Sequence, residues 1–220
     1  MKNLCLAILM LAMMFGGTVW ASPLMNYEAG KGSIDLTWRN TEDDVSGYTH
    51  AILPERNNLD ATLTLGLGNN FAFQYRNFEP KSPVVRWNYG GTITTGQFKL
   101  TSNEFNVLYK LAKNVSVFAG DVSASGYRWT PISSYTTDTK NYWQVGLIGR
   151  TEIAPRTTLW ASAAAGNDLT NWEAGVSYEF APGWELNVNY RELKTNKLKL
   201  YQYVDNVKAT GFGYGITYKF

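Results

Sequence analysis

The chain contains one histidine, His50, and one cysteine, Cys5, so acid–base or thiol chemistry would have to be built around them. Hydrolysis by an activated serine needs an imidazole beside the hydroxyl and a carboxylate that orients it. Ser46, Asp43 and Asp44 stand near His50 in sequence, but their spacing gives no partner geometry, and a solvated histidine is expected. A structural metal needs clustered thiolates, imidazoles or carboxylates. One histidine and scattered carboxylates do not supply a cluster. The runs Gly66-Leu67-Gly68 and Gly211-Phe212-Gly213-Tyr214-Gly215 fall inside an apolar–polar alternation, so they read as bends and close packing, not phosphate cradles. No catalytic residue, metal or cofactor is expected.

The other chemistry-bearing side chains are charges and amides that recur at every second position, and this alternation defines the elements that must hold them. Ile34, Leu36 and Trp38 alternate with Ser33, Asp35, Thr37 and Arg39, which predicts a first strand. Ala61 to Leu67 and Phe71 to Arg76 give a second and third, joined by a hairpin at Gly68-Asn69-Asn70. Phe105 to Leu111, Val115 to Ala119 and Trp143 to Leu147 give three more. A seventh runs through Leu159, Ala161, Ala163 and Ala165, although alanine is a weak strand former. Trp172 to Phe180, Trp184 to Arg191 and Phe212 to Phe220 complete the series.

The connections alternate in length. Those near 68–70, 112–114, 151–156 and 181–183 are short, those at 41–59, 79–102, 124–140 and 194–207 are long, and 166–170 is a short exception. Aromatic residues sort to strand ends: Phe71, Phe180, Trp184, Tyr218 and Phe220 at the tight-turn side, and Trp38, Trp143, Trp172, Tyr190 and Phe212 at the other. Leu36, Leu65, Val107, Val117, Val176, Leu186, Val188 and Ile216 lie between them. Short turns on one side, long loops on the other and two aromatic girdles are the pattern of a transmembrane antiparallel up-and-down β-barrel. About ten strands are expected, with eight as the alternative. A soluble sandwich would also alternate, but it has no reason to sort its aromatics in this way.

Met1-Lys2-Asn3, the apolar stretch Leu4 to Phe15 and the small-x-small Val19-Trp20-Ala21 have the layout of a cleaved secretory signal. The apolar stretch is about 12 residues, against roughly 20 for a spanning helix. Residues 1–21 are therefore read as a signal peptide and 22–220 as one barrel domain. Cys5 lies too early to be a lipidated first residue. A net charge of +2, part of it from Lys2, argues against nucleic-acid binding.

The mature start from Ser22 to Gly32, the segment from Leu65 to Arg76 and Trp172-Glu173-Ala174-Gly175-Val176-Ser177-Tyr178 resemble small porin-like outer-membrane barrels of diderm Firmicutes, the Negativicutes. The ending Tyr214, Ile216, Tyr218 and Phe220 resembles the C-terminal assembly signal of bacterial outer-membrane barrels. The resemblance implies a bacterial outer-membrane location and, as partners, outer-membrane lipids, lipopolysaccharide and the barrel-assembly machinery. Barrel-type lipid deacylases carry a His-x-Ser pair, whereas His50 is followed by Ala51 and Ile52, and the Asp and His pairs of barrel proteases are not matched.

By alternation the lumen receives Asp35, Arg39, Arg76, Glu104, Lys110, Glu173, Glu179, Glu185 and Arg191, with Gln74, Asn187 and Lys219. Mixed signs permit either ion pairs that fill the lumen or a narrow water-filled pore. Ten strands enclose more space than about a dozen such side chains fill, which favours the pore. Lys194, Lys197, Lys199 and Lys208 beside Tyr201 and Tyr203, and Lys81, Arg86, Trp87 and Tyr89, are expected in outer loops facing lipopolysaccharide phosphates or a surface ligand. The expected function is a non-enzymatic pore or membrane-stabilising barrel, with a surface binder or adhesin as the alternative and a lipid-modifying enzyme third.

Overall fold

Extended, alternating segments with two-residue connections pair edge to edge until no edge is left. A computed structural model describes residues 23, 26–47, 51–89, 92–131, 133–200 and 203–220. The segment 1–21 expected to be a signal, with Cys5, and also His50 and Tyr201 lie outside the described residues. The strands are β1 (Gly32–Gly47), β2 (Ala51–Gly68), β3 (Phe71–Phe78), β4 (Val85–Tyr89), β5 (Thr92–Ala112), β6 (Val115–Thr130), β7 (Ser133–Thr136), β8 (Lys140–Ala154), β9 (Thr157–Gly166), β10 (Leu169–Ala181), β11 (Trp184–Leu200) and β12 (Tyr203–Lys219). Ten of them form a closed antiparallel wall in chain order; β4 and β7 are short additions on β5 and β6. Closure comes from β1, whose Ser33 to Gly47 pair with Lys219 to Asp205 of β12.

The tight turns follow from their residues. Asn69 and Asn70 both have positive φ, 51° and 68°, as a two-residue hairpin requires and as asparagine tolerates. The segment 151–156, expected as a turn, is mostly strand: β8 runs to Ala154 and leaves only Pro155 and Arg156 to turn the chain. The short exception proves to be the turn at Asn167-Asp168 between β9 and β10.

Along the belt the outward side chains are apolar and exposed, as Trp184, Leu186 and Val188 on β11 and Phe212, Tyr214 and Ile216 on β12 illustrate. From Phe212 to Phe220 is about 26 Å along the strand, or about 20 Å of height at usual barrel tilts, close to the apolar band of a membrane barrel. Aromatic contacts bracket it. Trp172, Tyr190 and Phe212 meet across three strands at 5.3 and 4.9 Å, while Trp184, Tyr218 and Phe220 meet at the other rim at 4.5 and 6.1 Å.

Beyond the upper girdle the structure departs from the expected long loops. The segments 41–59 and 194–207 are largely continuations of the wall strands, and 79–102 and 124–140 are shared among wall strands, the added β4 and β7 and their connections. They continue because the alternation persists with its polarity exchanged. On β11, outward Trp184 to Tyr190 face inward Glu185 to Arg191, but one turn of the pattern later Lys194 is outside and Leu193 is buried. On β12, Lys208 lies outside and Val207 and Ala209 within. The upper part of the barrel is thus built like a water-soluble protein, with Val45, Leu53, Phe78, Leu100, Leu169 and Leu193 among its buried apolar cluster.

Candidate functional site: the filled lumen

Wall strands tilt and stagger, so inward residues far apart in sequence arrive at one level. Arg39 of β1 donates from Nε to Asp60 Oδ2 at 2.7 Å and from Nη2 to Glu173 Oε1 at 2.8 Å. Arg76 of β3 reaches the other oxygen of Glu173 at 2.9 Å and donates to Thr62 Oγ1 at 3.1 Å. Arg191 of β11 pairs with Glu104 of β5 across the lumen. Its guanidinium lies 4.5 Å from the ring centre of Phe78, the floor of the apolar cap. Arg39, Glu104, Glu173 and Arg191 are all buried.

Amides extend this network. Asn171 Nδ2 donates to Glu104 at 3.2 Å and its Oδ1 accepts from Arg191 Nε at 3.3 Å. Gln144 donates to Asn106 at 2.9 Å, Asn106 to Gln74 at 3.3 Å, and Gln74 to Thr64 at 3.3 Å. Lower down, Asp35 accepts from Thr37 at 2.8 Å and Asn187 at 3.0 Å. Glu185 pairs with Lys219 at 2.5 Å. Glu179 stands near the mouth and accepts from the Gly183 amide at 3.1 Å; Lys110 is half-buried near the same end of the barrel. Glycine makes the network possible on β12. A Cβ at Gly213 would stand 3.3 Å from Arg39 Cζ and 2.8 Å from Asn189 Oδ1, so the guanidinium lies against bare backbone.

The mouth is stoppered by a segment that the alternation did not reveal. Tyr27, ahead of β1, is buried against Ala72, Leu108, Phe118 and Ile148. Its hydroxyl donates to Ser116 at 3.0 Å and its carbonyl accepts from the Gly68 amide at 2.8 Å. Burial pushes the Tyr27 phenol up to about 12. Arg150 donates to the Pro23 carbonyl at 3.3 Å. The lumen therefore has three layers: an apolar floor around Tyr27, a polar middle and an apolar cap. This filling departs from the expected pore. The dozen side chains expected in the lumen do not include Tyr27 or the apolar cap, which are also buried inside the barrel.

Asp60, Gln144, Asn171 and Arg150 also escaped the sequence reading. Asp60 falls one residue before the predicted second strand, while Gln144 and Asn171 sit at inward parity beside Trp143 and Trp172, a signal that could have found them. Of the basic residues expected in loops, Lys81 lies in the connection between β3 and β4 and Arg86 on β4, while Lys194, Lys197, Lys199 and Lys208 lie on the outer wall, partly compensated: Asp168 bridges Lys197 at 2.8 Å and Lys140 at 3.2 Å, and Lys208 lies 3.8 Å from Asp44. Hydrogen bonds from Lys197 and Lys140 hold the Asp168 carboxyl below the usual carboxylate range. Tyr214, Ile216, Tyr218 and Phe220 all point outward and are exposed. Among the described residues no group of three or more histidine, cysteine, aspartate or glutamate side chains is placed to hold a metal.

The fold defines the class: a closed, ten-stranded antiparallel β-barrel. No family model matches the chain, and no curated protein matches it. Solved structures similar to it include the outer membrane protease OmpT from Escherichia coli (11% identity, TM-score 0.49, covering 92% of this chain and 99% of that one). Others are the attachment invasion locus protein Ail of Yersinia pestis (14%, 0.41, 87% and 99%) and Neisserial surface protein A (13%, 0.41, 87% and 98%).

Proposed function

We propose that this protein is a non-enzymatic bacterial outer-membrane barrel that works as a filled, membrane-stabilising scaffold. The observation that carries the reading is the buried Arg39–Asp60–Glu173–Arg76 network, enclosed between an apolar floor and an apolar cap. A conducting path needs hydrated walls and weak sites, whereas these charges are bound to one another. The apolar belt between aromatic girdles supports a membrane location, and the N-terminal signal pattern supports export. The outward Tyr214, Ile216, Tyr218 and Phe220 serve in this reading as the assembly signal, with outer-membrane lipid and lipopolysaccharide as neighbours. Purified protein in planar bilayers is expected to give no channel events. Reproducible single-channel steps from wild type would overturn the scaffold reading in favour of the pore.

A second reading, surface binding, has its own observation. Tyr127 and Trp129 are exposed on the outward side of β6, six and eight residues beyond Asp121, which pairs with the girdle residue Trp143. Replacing both with serine tests it: loss of whole-cell adhesion with unchanged unfolding supports a binder, and unchanged adhesion removes it.

A further inference from the structure

The outer face of the belt is not uniformly bulky. Two adjacent rows of cross-strand partners cross β3, β5, β6, β8 and β9. One is Phe71, Tyr109, Val117, Leu147 and Ala163; the other passes from Val107 through Ala119 and Val145 to Ala165. Where these rows meet small residues the wall is hollowed into an apolar groove of about 730 Å³. Beneath it Gly146 leaves no room for a side chain, since a Cβ would come within 2.4 Å of the inward Phe118 ring. At the lower end of the groove the Phe71 and Tyr109 rings meet at 4.8 Å; toward β9 the wall becomes small, with Leu159, Ala161, Ala163 and Ala165 at the outward positions.

The geometry points to a seat for one acyl chain of a phospholipid from the periplasmic leaflet, held in this groove as a fixed component of the barrel. The inference rests on the outer-membrane reading above. Four strand spacings make the groove about 19 Å long. Rows perpendicular to tilted strands climb obliquely, so the groove rises about 12 Å, within one leaflet of a core about 30 Å thick. Its lower end is Phe71, directly after the Asn69-Asn70 turn, where a periplasmic headgroup would lie. Its lining is almost wholly apolar and so offers nothing to a polar ligand. A second copy fits less well: a two-fold contact would set hollow against hollow and leave a void, and filling the hollow with another face would give a contact that does not close. A lipid chain is flexible enough to follow it.

The test is native mass spectrometry of the protein after exchange into mild detergent, preceded by flotation with phospholipid vesicles. Wild type is expected to retain one phospholipid per chain. Ala163→Leu with Ala165→Leu should lower that retention several-fold, and Ala119→Leu, which narrows the groove from β6, should do the same. Ala61→Leu, at an outward position of β2 outside the groove lining, should not. Far-UV circular dichroism identifies any variant that fails to fold. No retained lipid in wild type, or equal retention in both filled variants, overturns the seat. So does a dimer abolished by the filled variants, or retained lipopolysaccharide in place of phospholipid. Failure of flotation instead overturns the membrane reading itself.

Discussion

Arg39 and Glu173, 134 residues apart in the chain, meet at 2.8 Å inside the barrel, and each is also bound by a second opposite charge, Asp60 and Arg76 respectively. Removing one partner of a buried pair leaves the other charge unmatched. Arg39→Ala is therefore expected to lower stability by about 3–5 kcal/mol. Arg76→Ala should lose less, because its side chain keeps 18% of its exposure. Unfolding in urea from detergent micelles reads both, and a wild-type midpoint in Arg39→Ala would show that water already solvates the network.

The exchange of polarity above the upper girdle separates three neighbouring positions. Val188→Lys puts a charge on the lipid face and should destabilise by about 2–4 kcal/mol. Leu193→Ala opens the apolar cap at a buried site, about 2–5 kcal/mol. Lys194→Glu, on the outside of the same strand, should stay within about 0.5 kcal/mol or gain slightly, because Lys194 stands opposite Lys208. Denaturant midpoints in vesicles give the order, and a large loss in Lys194→Glu would contradict a solvated outer wall there.

Gly211 packs its bare backbone against β1, where a Cβ would lie 2.0 Å from the Asn40 carbonyl oxygen. Gly211→Ala should therefore disturb the closing seam and destroy the compact, heat-modifiable band on gels. Gly30→Ala meets no atom within 4 Å, but its φ of +85° makes a side chain strained there, so a smaller loss is expected.

The stopper gives a pH dependence of defined sign. Burial raises the Tyr27 phenol from 10 to about 12, so the neutral form is favoured by folding. Its contribution is complete below pH 10 and is lost as pH climbs toward 12, by about 2–3 kcal/mol at most. Midpoints at pH 9 and 12 should therefore fall further in wild type than in Tyr27→Phe. Equal falls would mean that Tyr27 is already solvated.

The ten wall strands were legible because a membrane wall must alternate, and even β9, written in alanine, kept its register between Trp143 and Trp172. The upper strand segments were not. Inward Leu193 and Val207 beside outward Lys194 and Lys208 repeat with the same period, but a membrane wall carries its apolar residues outside, so the reversal reads as loops. Arg39, Arg76, Glu104, Glu173 and Arg191 were placed inward by parity, but parity carries no height, so their pairing could not be read. Tyr27 lacked any signal, since a single aromatic ahead of a strand has no period. Asp60 stands one residue ahead of the apolar alternation that starts at Ala61, so the alternation does not reach it.

Gly32 and Phe220 exchange two backbone hydrogen bonds, each 3.0 Å long, and this reciprocal seam constrains how the chain reaches its final state. β1 is made first but completes its ladder only with β12, made last. Until then both carry a row of bare amides and carbonyls, each of which costs several kcal/mol in hydrocarbon. Strand-by-strand entry into lipid would prolong that exposure through the whole of synthesis. The seam therefore requires that insertion be near-concerted, or that a chaperoning edge pair temporarily with β1 or β12 until the two find each other.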